Sequence, residues 1–141
     1  LGIAKYVVRM FQDAGVVLER DYSFNPRRKG IERFSDASDE RRSQLIAENP
    51  LYGRIVCRCE TVTEAEIIQA IHRPVGARTV DAIKRRVRAG TGRCQGGFCG
   101  PKVIEILARE LKLPVAEVRK NLMGSYMLTG QIREEERCGD A

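Results

Sequence analysis

The chain has no tryptophan and a single histidine, His72. A Rieske centre needs two imidazole ligands, so that cofactor is excluded. No window comes near the eighteen or more uninterrupted apolar residues of a membrane span, and no transmembrane segment is expected. No basic-then-apolar leader with a small-residue cleavage site precedes the body of the chain, so no secretory signal is expected. The first residue, Leu1, falls in mid-pattern and suggests a fragment. No G-x-G-x-x-G turn of a dinucleotide-binding fold occurs anywhere. Five cysteines in 141 residues are too few for a disulfide-dense scaffold. Paired cysteines without secretion signals more often mean metal.

Apolar residues make up 43% of the 141, which is enough for one domain of usual size with a core, or a small module plus an appendage. The formal net charge of +6 fits an anionic partner or simply a solvated surface. These traits suit a cytoplasmic protein, or one peripheral at the inner face of the membrane.

Hydrophobic spacing predicts a mainly α chain: a small helical module with a helix-turn-helix core and a cysteine-bearing loop site, preceded by a helical and irregular segment. Ile3, Ala4, Val7, Val8 and Phe11 recur at helical spacing, and Gly15 follows where a helix C-terminus uses a left-handed residue, giving a helix over Leu1 to Ala14. Val16 to Phe34 breaks up into irregular chain. Ser and Asp caps and early acids predict a short helix from about Ser38 to Glu48. "GRIVCRC" is β-prone, and Thr63 with Glu66 forms a capping box for a helix reaching His72. After a turn at "RPVGA", Thr79 caps a helix with Val80, Ile83 and Val87 on one face. "AGTGRCQGGFCG" is too rich in glycine for a regular element. Pro101 suits the first position of the next helix, with Val103, Ile104, Leu107 and Leu111 as its core stripe. A last short helix is expected over Val115 to Leu122. The segments divide as 1–50, a lead and connector; 51–125, the cysteine-bearing module; and 126–141, a charged tail.

Four of the thiols fall in two pairs, C-x-C at Cys57 and Cys59 and C-x4-C at Cys94 and Cys99. In extended chain residues i and i+2 face one side, about 7 Å apart at Cα, so the first pair can approach one centre. Gly96 and Gly97 let the second loop curl and turn amide N–H groups towards an anionic sulfur site. Arg58 and Arg93, with Arg54 and the run Lys84 to Arg88, could offset the charge of a thiolate cluster. Spacing leaves three readings open: an iron-sulfur cluster, a zinc ion, or inert or disulfide-linked cysteines. The plant-type and bacterial ferredoxin spacings are both absent. Phe98 reads as a shield limiting solvent access, His72 as a surface or capping residue, and Cys138 as a free thiol in the tail. No residue is singled out as catalytic.

"CRCETVTEAEI" followed by "GARTVDAIKRRVRAGTGRCQGGFC" resembles the BFD-like 2Fe-2S domain, in the form fused to the C-terminus of FAD-dependent oxidoreductases of the glycerol-3-phosphate dehydrogenase type. The resemblance is strong from Leu51 to about Leu111. "NPLYGRIVCRCE" is specific to the fused branch, and the second pair is C-x4-C where the stand-alone ferredoxin has C-x2-C. It implies a 2Fe-2S cluster on Cys57, Cys59, Cys94 and Cys99, with zinc able to replace it in the isolated fragment. "GIAKYVVRM" resembles the final helix of the flavin domain and "FNPRRKGIERF" its connector. The implied role is an electron relay: FAD in the missing N-terminal domain, the chain's own flavin domain as one partner and an external electron acceptor as another, and no catalysis by this stretch alone. Two alternatives accompany it: a zinc-stabilised interaction module on the same cysteines, and a nucleic-acid binder using the basic second helix of the helix-turn-helix.

Overall fold

In the computed structural model, which describes residues 1–130, Leu1–Gly30 and the chain from Ile31 onward form separate compact units. The first holds helix α1, Gly2–Asp13. It stops at Gly15, whose φ of +78° suits a residue without a Cβ. The expected stripe Val7, Val8 and Phe11 is present, but no residue of α1 is buried.

The second unit runs α2 (Asp39–Glu48), β1 (Ile55–Cys57), β2 (Val62–Thr63), α3 (Glu64–His72), α4 (Val80–Val87) and α5 (Cys99–Leu111). Single 3-10 turns sit at Phe34–Asp36, Pro50–Gly53 and Val115–Glu117. Local chemistry accounts for the starts. The Ser38 hydroxyl accepts from Arg41 N–H at α2, Thr79 accepts from Ala82 N–H at α4, and Thr63 and Glu66 form the full capping box at α3.

Helices α3, α4 and α5 enclose the core. Ile67 and Ile71, Ile83, and Ile106 and Leu107 are its fully buried large side chains. Truncating Leu107 to alanine should cost about 2–5 kcal/mol through lost burial and the cavity left behind. Urea unfolding would read this as a lower midpoint with an unchanged slope.

A smaller cluster joins Phe34, Leu45, Tyr52 and Ala65, with the two rings stacked 6.2 Å apart and Gln69 Nε2 donating to the Tyr52 hydroxyl at 2.6 Å. The connector before the cysteines is therefore packed onto α3, within the same unit.

Three expectations are corrected. The β-prone run pairs antiparallel with Val62–Thr63, but the strand ends at Cys57. Arg58 to Glu60 form a turn and Thr61 takes a positive φ of 50°, so Cys59 is not the i+2 partner of Cys57 along a strand. Helix α5 begins at Cys99, two residues before Pro101, which lies inside the first turn where the missing N–H breaks no bond. After Val115–Glu117 no helix continues to Leu122. The chain turns back instead, bridging Arg119 to Tyr126, and the carbonyls of Arg119 and Lys120 accept from Val80 and Asp81 N–H at 3.1 and 2.9 Å. Those first-turn donors of α4 would otherwise lack partners. Cys138 lies outside the described residues.

Candidate metal centre

The two cysteine pairs, 35 residues apart in sequence, meet at one cleft. Cys57 at the end of β1, Cys59 in the following turn, Cys94 in the glycine loop and Cys99 in the first turn of α5 all line it, as do Arg54, Arg58, Glu64, Phe98 and Lys102. None of the four thiols is in a disulfide. Each thiol of one motif has its nearest sulfur neighbour in the other, although Cys99 also feels Cys94. Cys59 Sγ and Cys94 Sγ are 4.0 Å apart, and the Cys57 thiol is the side-chain hydrogen-bond neighbour of Cys99. Two ligands of one tetrahedral centre with metal–sulfur bonds of about 2.3 Å stand about 3.8 Å apart, so the outer pair has the spacing of a shared metal. Among the described residues no three Cys, His, Asp or Glu side chains close around a single ion. Four thiols lining one cleft are the donor set that a two-metal, four-thiolate cluster takes.

Electrostatics differ between the pairs. Backbone N–H groups of Phe98, then Gly96, donate toward the Cys94 sulfur and hold its thiol below the usual range. Burial, then the neighbouring Cys57, pushes Cys99 up to about 11. A lowered pKa means more thiolate at a given pH, and the thiolate is the nucleophile. In metal-free chain, iodoacetamide should therefore label Cys94 at a lower pH than an ordinary thiol, with Cys99 last and only in strong base. Peptide mapping after pulses across a pH series checks this, and early labelling of Cys99 would contradict it.

Helix α4 fixes both ligand loops. Arg88, itself left-handed at φ 67°, bonds Glu60 beside Cys59 at 2.9 Å, and Lys84 reaches Gln95 beside Cys94 at 3.5 Å. Arg85 holds Asn121, and Arg86 holds the Val75 carbonyl. The basic helix that invited a nucleic-acid reading thus spends its cations on the protein's own loops.

Of the other anticipated residues, Gly96 takes φ +92° and its N–H faces the Cys94 thiol, while Gly97 donates its N–H to the Cys94 carbonyl at 2.9 Å. Arg58 lines the cleft and Arg93 does not. Phe98 is 90% exposed, so it projects from the rim and does not cover the thiols. His72 lies away from the site, its Nε2 2.7 Å from Glu110.

Sequence reasoning missed three contributors. Gly92 passes so close to Cys59 that a Cβ there would fall 2.2 Å from the cysteine Cβ, and no residue pattern announces that approach. Glu64 is a buried carboxylate in the cleft wall, bonded by Arg109 at 2.7 Å and near Arg54 at 3.5 Å. Lys102 adds a cation one turn into α5. Only the N-terminal position of Glu64 in α3 was visible beforehand.

A small helical module that brings four free thiols to one cleft has the donor set of a cysteine-ligated metal domain. Residues 55–109 match the family described as BFD-like [2Fe-2S] binding domain, and this segment belongs to that family of iron-sulfur, electron-transfer modules. The chain is 51% identical over 133 residues to a glycerol 3-phosphate dehydrogenase of Caloramator mitchellensis, covering 94% of this chain and 28% of that protein. It is 38% identical over 102 residues to an opine oxidase subunit of Rhizobium meliloti, covering 71% of this chain and 18% of the relative. Over 70 residues it is 31% identical to a subunit of the anaerobic glycerol-3-phosphate dehydrogenase of Escherichia coli K12, covering 50% of this chain and 13% of that one. The chain therefore spans less than a third of the length of these relatives. No solved structure matches it. Among the described residues no helix is long and apolar enough to cross a membrane.

Proposed function

We propose that Cys57, Cys59, Cys94 and Cys99 hold a 2Fe-2S cluster, and that the chain is the electron-relay portion of an FAD-dependent oxidoreductase of the glycerol-3-phosphate dehydrogenase type. The observation that carries this reading is the convergence of the four thiols into two pairs at one cleft. When bound, such a cluster takes up and returns one electron at a time. The residues around it have separable tasks. The amides of Phe98 and Gly96 stabilise sulfur charge at Cys94, Arg58 and Lys102 place positive charge at the rim, and the Arg88–Glu60 and Lys84–Gln95 contacts keep the two loops in register. Donors of this kind raise a cluster's potential by favouring its more negative state.

On this reading FAD and the substrate site belong to the part of the relatives' length that the chain does not span. The exposed apolar stripe of α1 then packs as the last helix of the flavin domain, 1–50 is that helix plus connector, and 51–125 is the cluster domain. Reduced flavin is the electron donor, and an external carrier accepts the electrons at the cytoplasmic side of the membrane or in the cytoplasm.

Anaerobic purification followed by iron, sulfide and zinc assays on one sample, with electron spin resonance after dithionite, tests the assignment. Equimolar iron and sulfide and a half-integer spin signal are expected. Zinc in their place, with no signal after reduction, would instead support the interaction-module alternative.

A further inference from the structure

The two thiol pairs are not equivalent. Cys57 and Cys99 are 1% and 3% exposed and belong to the main apolar core, while Cys59 is exposed and Cys94 half-exposed. The outer pair faces solvent, receives the N–H groups of Phe98 and Gly96 at Cys94, and has the rim cations Arg58 and Lys102 in the same cleft. The carboxylate in the wall, Glu64, is engaged by Arg109 and Arg54.

Adding an electron to a diferric cluster adds one negative charge. Burial in a low-dielectric interior penalises that charge, whereas solvent and amide donors favour it. Both influences act in one direction across the cleft, from the inner sulfurs to the outer.

Resting on the 2Fe-2S reading, we infer that Cys59 and Cys94 ligate the iron that is reduced and Cys57 and Cys99 the iron that stays ferric. Each iron then draws one thiolate from C-x-C and one from C-x4-C, so neither motif is a chelate for one iron. One electron from a donor such as dithionite converts the ferric–ferric pair to ferric–ferrous, with no bond broken and no proton required. The reducible site is the solvent-facing one, which makes the Cys59–Cys94 edge the side for electron exchange with a partner.

Proton NMR of the dithionite-reduced chain tests this without any substitution. In an antiferromagnetically coupled pair, β-protons of cysteines on ferric iron shift less as temperature rises, and those on ferrous iron shift more. Assignment rests on Overhauser contacts to core methyls, expected for Cys57 and Cys99, which belong to the main core cluster, and absent for Cys59 and Cys94. The expected result is ferric behaviour for Cys57 and Cys99 and ferrous behaviour for Cys59 and Cys94. The reverse pattern, or all four cysteines behaving alike, would overturn the localisation. Cys57 and Cys59 sharing one behaviour would overturn the cross-pairing. A chain lacking iron and sulfide would fail earlier, at the proposed function, and the metal assay separates that case.

Discussion

On the 2Fe-2S reading, a Gly92→Ala chain is expected to lose most of its cluster while keeping its fold. The added methyl would lie 2.2 Å from Cys59 Cβ and 3.3 Å from its Sγ, far inside contact distance, and Cys59 is the ligand least anchored by packing. Relief must come from moving the Cys59 turn away from Cys94, which opens the 4.0 Å sulfur spacing. The three helices need not respond, because neither Gly92 nor Cys59 belongs to the core cluster. Substitutions that disturb ligand orientation typically cost about 10–100-fold in metal affinity. Iron and sulfide per chain and visible absorbance should fall accordingly, with helical circular dichroism unchanged. Full iron content in this variant would show that the close approach of loop and turn is not needed for binding.

A loss of stability on the scale of a core truncation is expected from Glu66→Ala. Glu66 is buried, and its two oxygens accept three donors: Thr63 N–H at 2.8 Å, Thr63 hydroxyl at 2.7 Å and Phe34 N–H at 3.3 Å. It therefore closes the cap of α3 and ties the connector to the cysteine module. Losing a cap costs about 1 kcal/mol, and leaving buried donors unpaired costs about 1–3 kcal/mol more, so about 3 kcal/mol is expected in denaturant unfolding. Glu66→Gln separates the two tasks. Its amide oxygen can still serve Thr63, but its NH2 then meets Phe34 N–H with nothing to accept that donor. The Gln variant should fall between wild type and Ala, and proteolysis should cut the connector near Phe34 before it cuts α3. Equal losses in the two variants would mean the connector bond contributes little.

Most of the helical layout was legible because it rests on short-range chemistry. Ser38, Thr63 and Thr79 each cap the helix their spacing predicted, and Glu66 completes its box as its i+3 position required. The failures were of the other kind. Pro101 suggested where α5 should begin, but a proline is tolerated throughout a first turn, so the start moved back to Cys99. A short helix was expected over Val115 to Leu122, yet only Val115–Glu117 forms a 3-10 turn, and the first N–H groups of α4 recruit the Arg119 and Lys120 carbonyls beyond it. Phe98 between two cysteines suggested a cover, and its side chain points outward.

By itself the sequence determined which atoms are available for the chemistry: four thiols in two short motifs, one imidazole, glycines flanking the second pair, and helix caps placing those motifs at element ends. Those follow from residue type and spacing. Tertiary structure alone decided how the thiols associate, crosswise between motifs with one pair inside the core and one at the surface. It also brought Lys84 of α4 and Arg88 at its C-cap onto the two cysteine loops. The reason is that sulfur spacing and burial depend on how α3, α4 and α5 pack around the two loops, and contacts between residues 35 apart in the chain have no local signature.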